Sequence, residues 1–429
     1  MGKFKEFLYK HQRNAIKKQK NHSKCLINMW CGTGKTRAFT IDLFNNEDPF
    51  NVIVFPSLGL INQYNNDYVL NQDEPFKTEF EKFKCLAFCS DDESKLKIKT
   101  DKIKYTTNEK TLNTFLKLKT NKIVLVTYQS FKKFINFCIA ENITINNLIF
   151  DEAHHIVGDK IQNTVFKKQH LDKIVEKTRF YTATPVNTKD ITMYNEDEDD
   201  EDYVSSDCGP LAYKYLYYQA VKDGICKDFE THISLYTQKT EYKSKYQPIF
   251  ESIIRACLSG KYNYWNILTY HSFVNEKVNS DVSFVKDFTS LKNQKLVKEL
   301  FTKIQNKEFP NTKSLYTVDN VILEGVDSKT PNRNDIIDNF NKKIKGRIYI
   351  ISSCGILNEG IDTKWANMGV PINPSQSIVK ESQRIGRLVR LPEKDMPPAI
   401  ILIPCMVDTT KYSSMDTPEL RDKMIREEL

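Results

Sequence analysis

The residues Met29-Trp30-Cys31-Gly32-Thr33-Gly34-Lys35-Thr36 place two glycines, a lysine and a hydroxyl at the spacing of a phosphate-binding loop. Gly32 and Gly34 let backbone amides approach phosphate oxygens, and a following helix would add the partial positive charge of its N-terminus. On this reading Cys31, Gly32, Thr33 and Gly34 wrap the phosphates, Lys35 reaches the β- and γ-phosphates, and Thr36 holds Mg2+. Met29 stands where the full pattern has its first glycine, so a strand-loop-helix whose glycines serve only the turn is the alternative. About 115 residues later, Asn147-Leu148-Ile149-Phe150-Asp151-Glu152-Ala153-His154-His155 delivers two carboxylates to the end of an apolar run. Asp151 would hold Mg2+ through water, and Glu152 would orient and deprotonate an attacking water. A helix merely capped by Asp151 is the alternative. Adjacent histidines do not share a helix face, so His154 and His155 do not read as a metal pair. A third cluster, Gln383-Arg384-Ile385-Gly386-Arg387-Leu388-Val389-Arg390, carries guanidinium groups three residues apart. Arg384, Arg387 and Arg390 would form a stripe at a packed helix start, aimed at phosphate; a solvated charged face is the alternative.

Such groups need strand ends to hold them. Short apolar runs at 25–29, 52–55, 123–127, 147–150 and 179–182 read as buried parallel strands, because they are β-rich and do not alternate. Helical patterns at 35–44 and 58–68 lie between them. A second strand series follows at 266–270, 314–317, 347–352, 368–370 and 399–403. Between the two series lie the acidic run 196–202, its Ser-rich sequel and a Tyr-rich helix expected over 211–222, ending at Gly224 as a left-handed cap. The expected class is α/β, with two doubly wound, mostly parallel sheets flanked by helices, whose ligands sit at the carboxyl ends of the strands. The expected domains are 1–190, 191–229 as acidic insertion and linker helix, and 230–429.

Gly32-Thr33-Gly34-Lys35-Thr36, Asp151-Glu152-Ala153-His154, Thr182-Ala183-Thr184-Pro185 and Gln383-Arg384-Ile385-Gly386-Arg387-x-x-Arg390, in this order, resemble motifs I, II, III and VI of the superfamily 2 DEAH-box helicases and translocases. The loop variant and the doubled histidine resemble the branch containing type III restriction motor subunits and large DNA virus helicases. The resemblance implies two tandem RecA-like domains and ATP hydrolysis with Mg2+, driven by Lys35, Asp151, Glu152, Gln383, Arg387 and Arg390. It further implies that Gln12, in Leu8-Tyr9-Lys10-His11-Gln12, hydrogen-bonds adenine. Gly360 and Asp362, in Asn358-Glu359-Gly360-Ile361-Asp362, would lie near the ribose. Pro56, Ser57 and Thr127 would bind a strand's phosphates, His271 and Ser272 would face the nucleic acid, and Thr182, Ala183 and Thr184 would couple hydrolysis to motion.

The chain has 429 residues, 40% hydrophobic and 28% charged, enough for two globular cores. No run approaches the roughly 18 apolar residues of a membrane span, and the N-terminus lacks a secretory signal. A protein acting inside a cell, in cytoplasm or nucleus, is expected, with no membrane partner; a viral origin is compatible with this. Ten scattered cysteines read as reduced, mostly buried thiols without zinc spacing. Net charge is +8, and the run 196–202 alone holds seven negative charges, leaving +15 on the remainder. That balance favours a nucleic-acid partner, with DNA preferred over RNA by the family branch. A P-loop kinase would not need the arginine cluster. A nucleotide-gated nucleic-acid-binding protein and a motor subunit of a restriction, replication or transcription complex remain as alternatives.

Overall fold

A computed structural model describes residues 2–71, 73–89, 103–166, 171–195, 206–237, 241–274, 284–327, 329–354, 363–373, 375 and 377–407. The chain divides into two compact units, Met1–Lys222 and Asp223–Leu429.

The first unit is built on eight strands: β1 Lys24–Met29, β2 Phe50–Phe55, β3 Phe83–Phe88, β4 Ile103–Thr106, β5 Asn121–Thr127, β6 Ile145–Phe150, β7 Val175–Thr182 and β8 Leu211–Tyr215. Their order is β4-β3-β5-β2-β6-β7-β1-β8, and every pairing is parallel. The central strands are covered on both faces, which is why they read as unbroken apolar runs; β2 and β6 are buried almost throughout. Leu26, Val52, Val54, Val124, Val126, Leu148 and Phe150 fill one side against Phe131, Phe134 and Ile135 of the helix Tyr128–Ala140.

The second unit carries β9 Phe229–Thr237, β10 Trp265–Tyr270, β11 Val321–Val326, β12 Ile348–Ser353, β13 Met368–Pro371 and β14 Ala399–Val407. The order is β11-β12-β10-β13-β14-β9, again parallel throughout. Its larger core packs Trp265, Ile267, Ile348 and Ile350 against the helices Gln247–Ser259 and Leu291–Glu308. Both units are therefore parallel α/β layers, as expected.

Three local expectations are corrected. Residues 211–215 form β8, not the start of a Tyr-rich helix; only Tyr217–Lys222 is helical, and Gly224 beyond it is left-handed at φ +66°. The open edge of β1 takes this tyrosine-rich segment as a strand, and Tyr215 stacks on His11 at 4.2 Å. The helix expected over 58–68 is α-helical for Leu58–Tyr64, then a π turn over Asn65–Val69 in which Leu70 N bonds back to Asn65 O at 2.8 Å. The Asn65 side chain is buried and donates to the Tyr105 hydroxyl, which holds the extra residue. The strand expected at 314–317 is instead the end of a 3-10 helix, Pro310–Ser314, and an irregular segment whose Tyr316 hydroxyl donates to Tyr262 O at 2.7 Å. The strand is β11.

Part of the expected insertion is core: Ile191, Met193 and Cys208 are buried in the first unit. The acidic run 196–202 lies outside the described residues. None of the ten cysteines is in a disulfide, and all but Cys31, Cys354 and Cys405 are buried. Among the described residues no helix is long and apolar enough to cross a membrane.

Candidate functional site

β1 ends at Met29, and Trp30 N donates to Tyr215 O at 2.9 Å, so β8 fixes where the chain leaves the sheet. The loop then turns through left-handed Gly32 (φ +78°) and Gly34 (φ +81°), with the Thr33 hydroxyl donating to Trp30 O at 2.7 Å. A side chain at Gly34 would be strained by φ and would place its Cβ 2.2 Å from Gln12 Nε2. Lys35 opens the helix Lys35–Asn46, with its Nζ 3.5 Å from Met29 O.

The helix Lys10–Gln19 braces this loop. Gln12 Nε2 donates to Thr33 O (3.0 Å) and Gly34 O (3.3 Å), Gln12 Oε1 accepts from Tyr9 N (2.9 Å), and His11 Nε2 donates to Thr33 O (2.8 Å). Gln12 is 1% exposed. Its amide, expected to read adenine, is engaged at both ends within the chain and acts here as a strut between helix and loop.

β6 lies two strands from β1, with β7 between, so the ends of all three stand side by side. Asp151 N donates to Val54 O at 3.0 Å and Asp151 Oδ1 accepts from Glu152 N at 3.1 Å. Glu152 occupies the left-handed region, φ 47°, a conformation that costs a non-glycine residue energy and recurs at functional sites. The turn brings its Oε1 3.4 Å from Lys35 Nζ and its Oε2 3.6 Å from His154 Nδ1. His154 Nδ1 also shares a hydrogen bond with Thr182 Oγ1 at 3.0 Å, and Thr182 Oγ1 accepts from Thr184 N at 3.1 Å. A continuous polar chain thus runs from Lys35 through Glu152 and His154 to Thr182. Tyr128, after β5, donates its hydroxyl to Asp151 O at 2.9 Å.

Burial and then the adjacent Glu152 charge push the Asp151 carboxyl well up. Burial would raise Glu152 as well, but Lys35, followed by His154, holds it below its ordinary value. Burial would lower the Lys35 ammonium, yet Glu152, with Cys31 and Asp151, keeps it above its ordinary value. The site therefore favours a charged Lys35–Glu152 pair beside a carboxyl that a cation would help to ionise. Oε2 of Glu152 is buried without a hydrogen-bond partner among the described residues, which suits a group that must take up a bound water. No group of three or more His, Cys, Asp or Glu able to hold a metal occurs among the described residues.

Pro56 and Ser57 follow β2, and Thr127 ends the neighbouring β5. Pro56 and Ser57 are half-buried; Thr127 is buried and donates to Ser130 Oγ at 3.2 Å. Ala183 and Thr184 follow β7 and are buried.

In the second unit His271 is buried beneath Phe288, at 4.9 Å between ring centroids, whereas Ser272 beside it is exposed. The arginine cluster lies in the second half of the helix Ile378–Leu388, not at its start. The expected stripe breaks up there. Arg384 turns inward, pairs with Glu381 at 2.6 Å and lies over the Tyr270 ring at 4.9 Å. Arg390 falls beyond the helix end, in a bridge to Cys226. Gln383 is buried and Arg387 half-buried on the helix itself. Gly360 and Asp362 lie outside the described residues.

His11 and His154 carry no role of their own in the sequence, the one standing beside Gln12 and the other closing Asp151-Glu152-Ala153-His154, yet both hydrogen-bond to parts of the site. The signal for His154 was its place three residues after Asp151, with a threonine ending a later strand; His11 carried no signal beyond its neighbour Gln12.

Residues 5–187 match the family described as type III restriction enzyme, res subunit, and residues 285–392 match the helicase conserved C-terminal domain. No protein of curated function matches in sequence. Among solved structures, the chain is similar to the ATP-dependent type ISP restriction-modification enzyme LlaBIII bound to DNA, with TM-score 0.65 and 17% identity over 94% of this chain and 28% of that one. LlaGI, of the same type and in complex with a DNA substrate mimic, gives TM-score 0.58 and 18% identity over 95% and 28%. The Mycobacterium smegmatis helicase Lhr bound to single-stranded DNA and AMP-PNP gives 0.52 and 12% over 92% and 45%. The chain thus spans 28% of the length of each restriction enzyme.

Proposed function

We propose, for a chain that is a superfamily 2 helicase related to the type III restriction motor subunits, that it hydrolyses ATP at the loop after β1 and uses the energy to move along or remodel DNA. The observation that carries this reading is the 3.4 Å approach of Lys35 to Glu152, which brings a phosphate-binding cation and a candidate base to one place.

Gly32 and Gly34 turn the loop so that its amides face the triphosphate, and Lys35 meets the β- and γ-phosphates. Thr36 and, through water, Asp151 would hold Mg2+, which would neutralise charge on those phosphates. Glu152 takes a proton from water as that water's oxygen bonds the γ-phosphorus; the bond to the β-phosphate oxygen breaks, leaving ADP and phosphate. Gln383, Arg387 and Arg390 are further residues assigned to hydrolysis, the two guanidinium groups being suited to phosphoryl charge. His154 and Thr182 pass the change to the end of β7, where Thr182, Ala183 and Thr184 couple it to the nucleic acid held near Pro56, Ser57 and Thr127; Ser272 is a separate candidate contact in the second unit.

DNA is favoured over RNA because LlaBIII and LlaGI were solved with DNA or its mimic. Because those relatives are restriction-modification enzymes of which this chain spans 28%, action within a larger restriction machine is favoured over a replication or transcription one. The test is steady-state ATPase, wild type beside Lys35→Ala, without polymer and with single-stranded DNA, duplex DNA or RNA. Stimulation by one polymer, lost in the variant, supports the motor and names its track. A Lys35-dependent rate indifferent to every polymer sinks it as an autonomous translocase.

A further inference from the structure

The helix Lys10–Gln19 has two faces of opposite character. His11, Gln12, Ala15, Ile16 and Gln19 are buried, against β8 and the helix Lys35–Asn46. Lys10, Asn14, Lys17 and Lys18 are exposed, and their spacing of i, i+4, i+7 and i+8 puts them on one side, flanked by Arg13. From Phe7 to Ile41 the sequence contains no Asp or Glu. None of the ion pairs among the described residues involves Lys10, Lys17 or Lys18, and the nearest pair along the chain is Lys20 with Asp42, at 4.0 Å.

A helix face that needs only solvation commonly mixes signs, as the helix Gln247–Ser259 does with Glu251 and Arg255 at 3.3 Å. Lysines near the last turn also complement the helix dipole, but Lys10 in the first turn opposes it. The concentration of like charge is left without an internal use.

We infer that this face binds the sugar-phosphate backbone of a nucleic acid, as a contact separate from the strand ends after β2 and β5. The inference rests on the reading of the chain as a nucleic-acid-dependent ATPase. Lys10 to Lys18 spans about 12 Å along the axis, which matches three to four nucleotide steps of about 3.4 Å along one DNA strand. An anionic membrane surface has the same charge but also needs apolar side chains free to insert on that face; Ala15 and Ile16 of the helix are 0% exposed, and the exposed Phe7 and Tyr9 before it are engaged by Phe76 and His11. The inner face of the same helix bonds the phosphate loop through His11 and Gln12. A backbone docked outside therefore bears on the element that braces the nucleotide site.

The experiment compares the full chain with Lys17→Gln/Lys18→Gln and with Lys17→Arg/Lys18→Arg, by fluorescence anisotropy on labelled duplex DNA from about 50 to about 200 mM salt, a range over which phosphate contacts are read out. Loss of two contacts lowers the slope of log affinity against log salt by about 1.8, at about 0.9 per phosphate. The glutamine variant should show that drop and bind several-fold more weakly at low salt, while the arginine variant keeps the wild-type slope. An unfolding midpoint equal to wild type confirms that the glutamine variant is folded. An unchanged slope and affinity in the glutamine variant overturns the surface and leaves the ATPase reading standing. A wild-type chain that binds no nucleic acid overturns both. Retention on phosphatidylserine vesicles that the glutamine variant loses, with its DNA slope unchanged, overturns the inference in favour of a membrane.

Discussion

Nζ of Lys35 lies 3.4 Å from Oε1 of Glu152, joining the loop after β1 to the turn after β6. Both side chains are largely buried, so each charge depends on the other, and removing one leaves its partner uncompensated in a place where water cannot repay it. The first prediction follows from that dependence. Glu152→Gln keeps the shape and removes both the base and the competitor for Lys35, so ATP binds at least as tightly while turnover falls by about 10^2 to 10^4. Lys35→Ala loses nucleotide affinity itself. Isothermal titration with ATP beside steady-state phosphate release checks both; near-normal turnover in Glu152→Gln would assign the base elsewhere.

Thr182 accepts from Thr184 N and shares a hydrogen bond with His154, so it stands between the hydrolytic turn and the end of β7. Thr182→Val is close in volume but deletes the hydroxyl. Basal ATPase should persist, while the stimulation by nucleic acid drops several-fold. The ratio of stimulated to basal rate is the measurement, and an unaltered ratio removes Thr182 from the coupling.

Arg384 and Arg387 are separated by one helical turn and should fail differently. Arg384, buried against Tyr270 and paired with the half-exposed Glu381, is part of the second core; Arg384→Ala should lower the unfolding midpoint, at a cost of about 1 to 2 kcal/mol for the lost cation–π contact and partly exposed pair. Arg387→Ala should leave the midpoint near wild type, retain ATP binding and reduce turnover by about 10^3 or more. Thermal unfolding and ATPase on the two variants decide the matter, and a mere loss of stability in Arg387→Ala would contradict its proposed role.

Lys227 is buried, donates to Ala366 O at 3.0 Å, and is lowered to about 7 by desolvation. Its unfolded value lies near 10.4. Between those values the unfolded chain holds a proton that the folded chain has lost, so stability rises with pH across that window and the cost of burying the charge is complete below it. In a Trp30→Phe background, Trp265 and Trp365 report on the second unit; its midpoint should climb from pH 7 to about pH 9. Lys227→Met should flatten that climb, and an equal climb in the variant would place the titrating group elsewhere.

The phosphate loop, the paired carboxylates and the alternation of strand and helix were legible in the sequence because each rests on local chemistry. Gly32 and Gly34 announce left-handed turns, and the runs ending at Met29 and Phe150 are apolar enough to be strands covered on both faces. The misreadings share a cause. Leu211–Tyr215 became a strand because an open edge of β1 was there to receive it, whereas Tyr316 is held by Gln305, which donates to its carbonyl, and by its own hydroxyl, which donates to Tyr262 O. Neither β1 nor Tyr262 is near its partner in sequence.

Residue types and their order along the chain thus determined that phosphate could be bound, that water could be activated, and that parallel α/β layers would carry the parts. Only the tertiary structure decided that Gln12 faces the loop, that Arg384 belongs to the core, and that Lys35, Glu152, His154 and Thr182 touch. The physical reason is the strand order β6-β7-β1. Neighbouring parallel strands lie about 4.8 Å apart, and the pairing that seats β1 beside β7 joins residues as distant in the chain as Lys24 and Thr178.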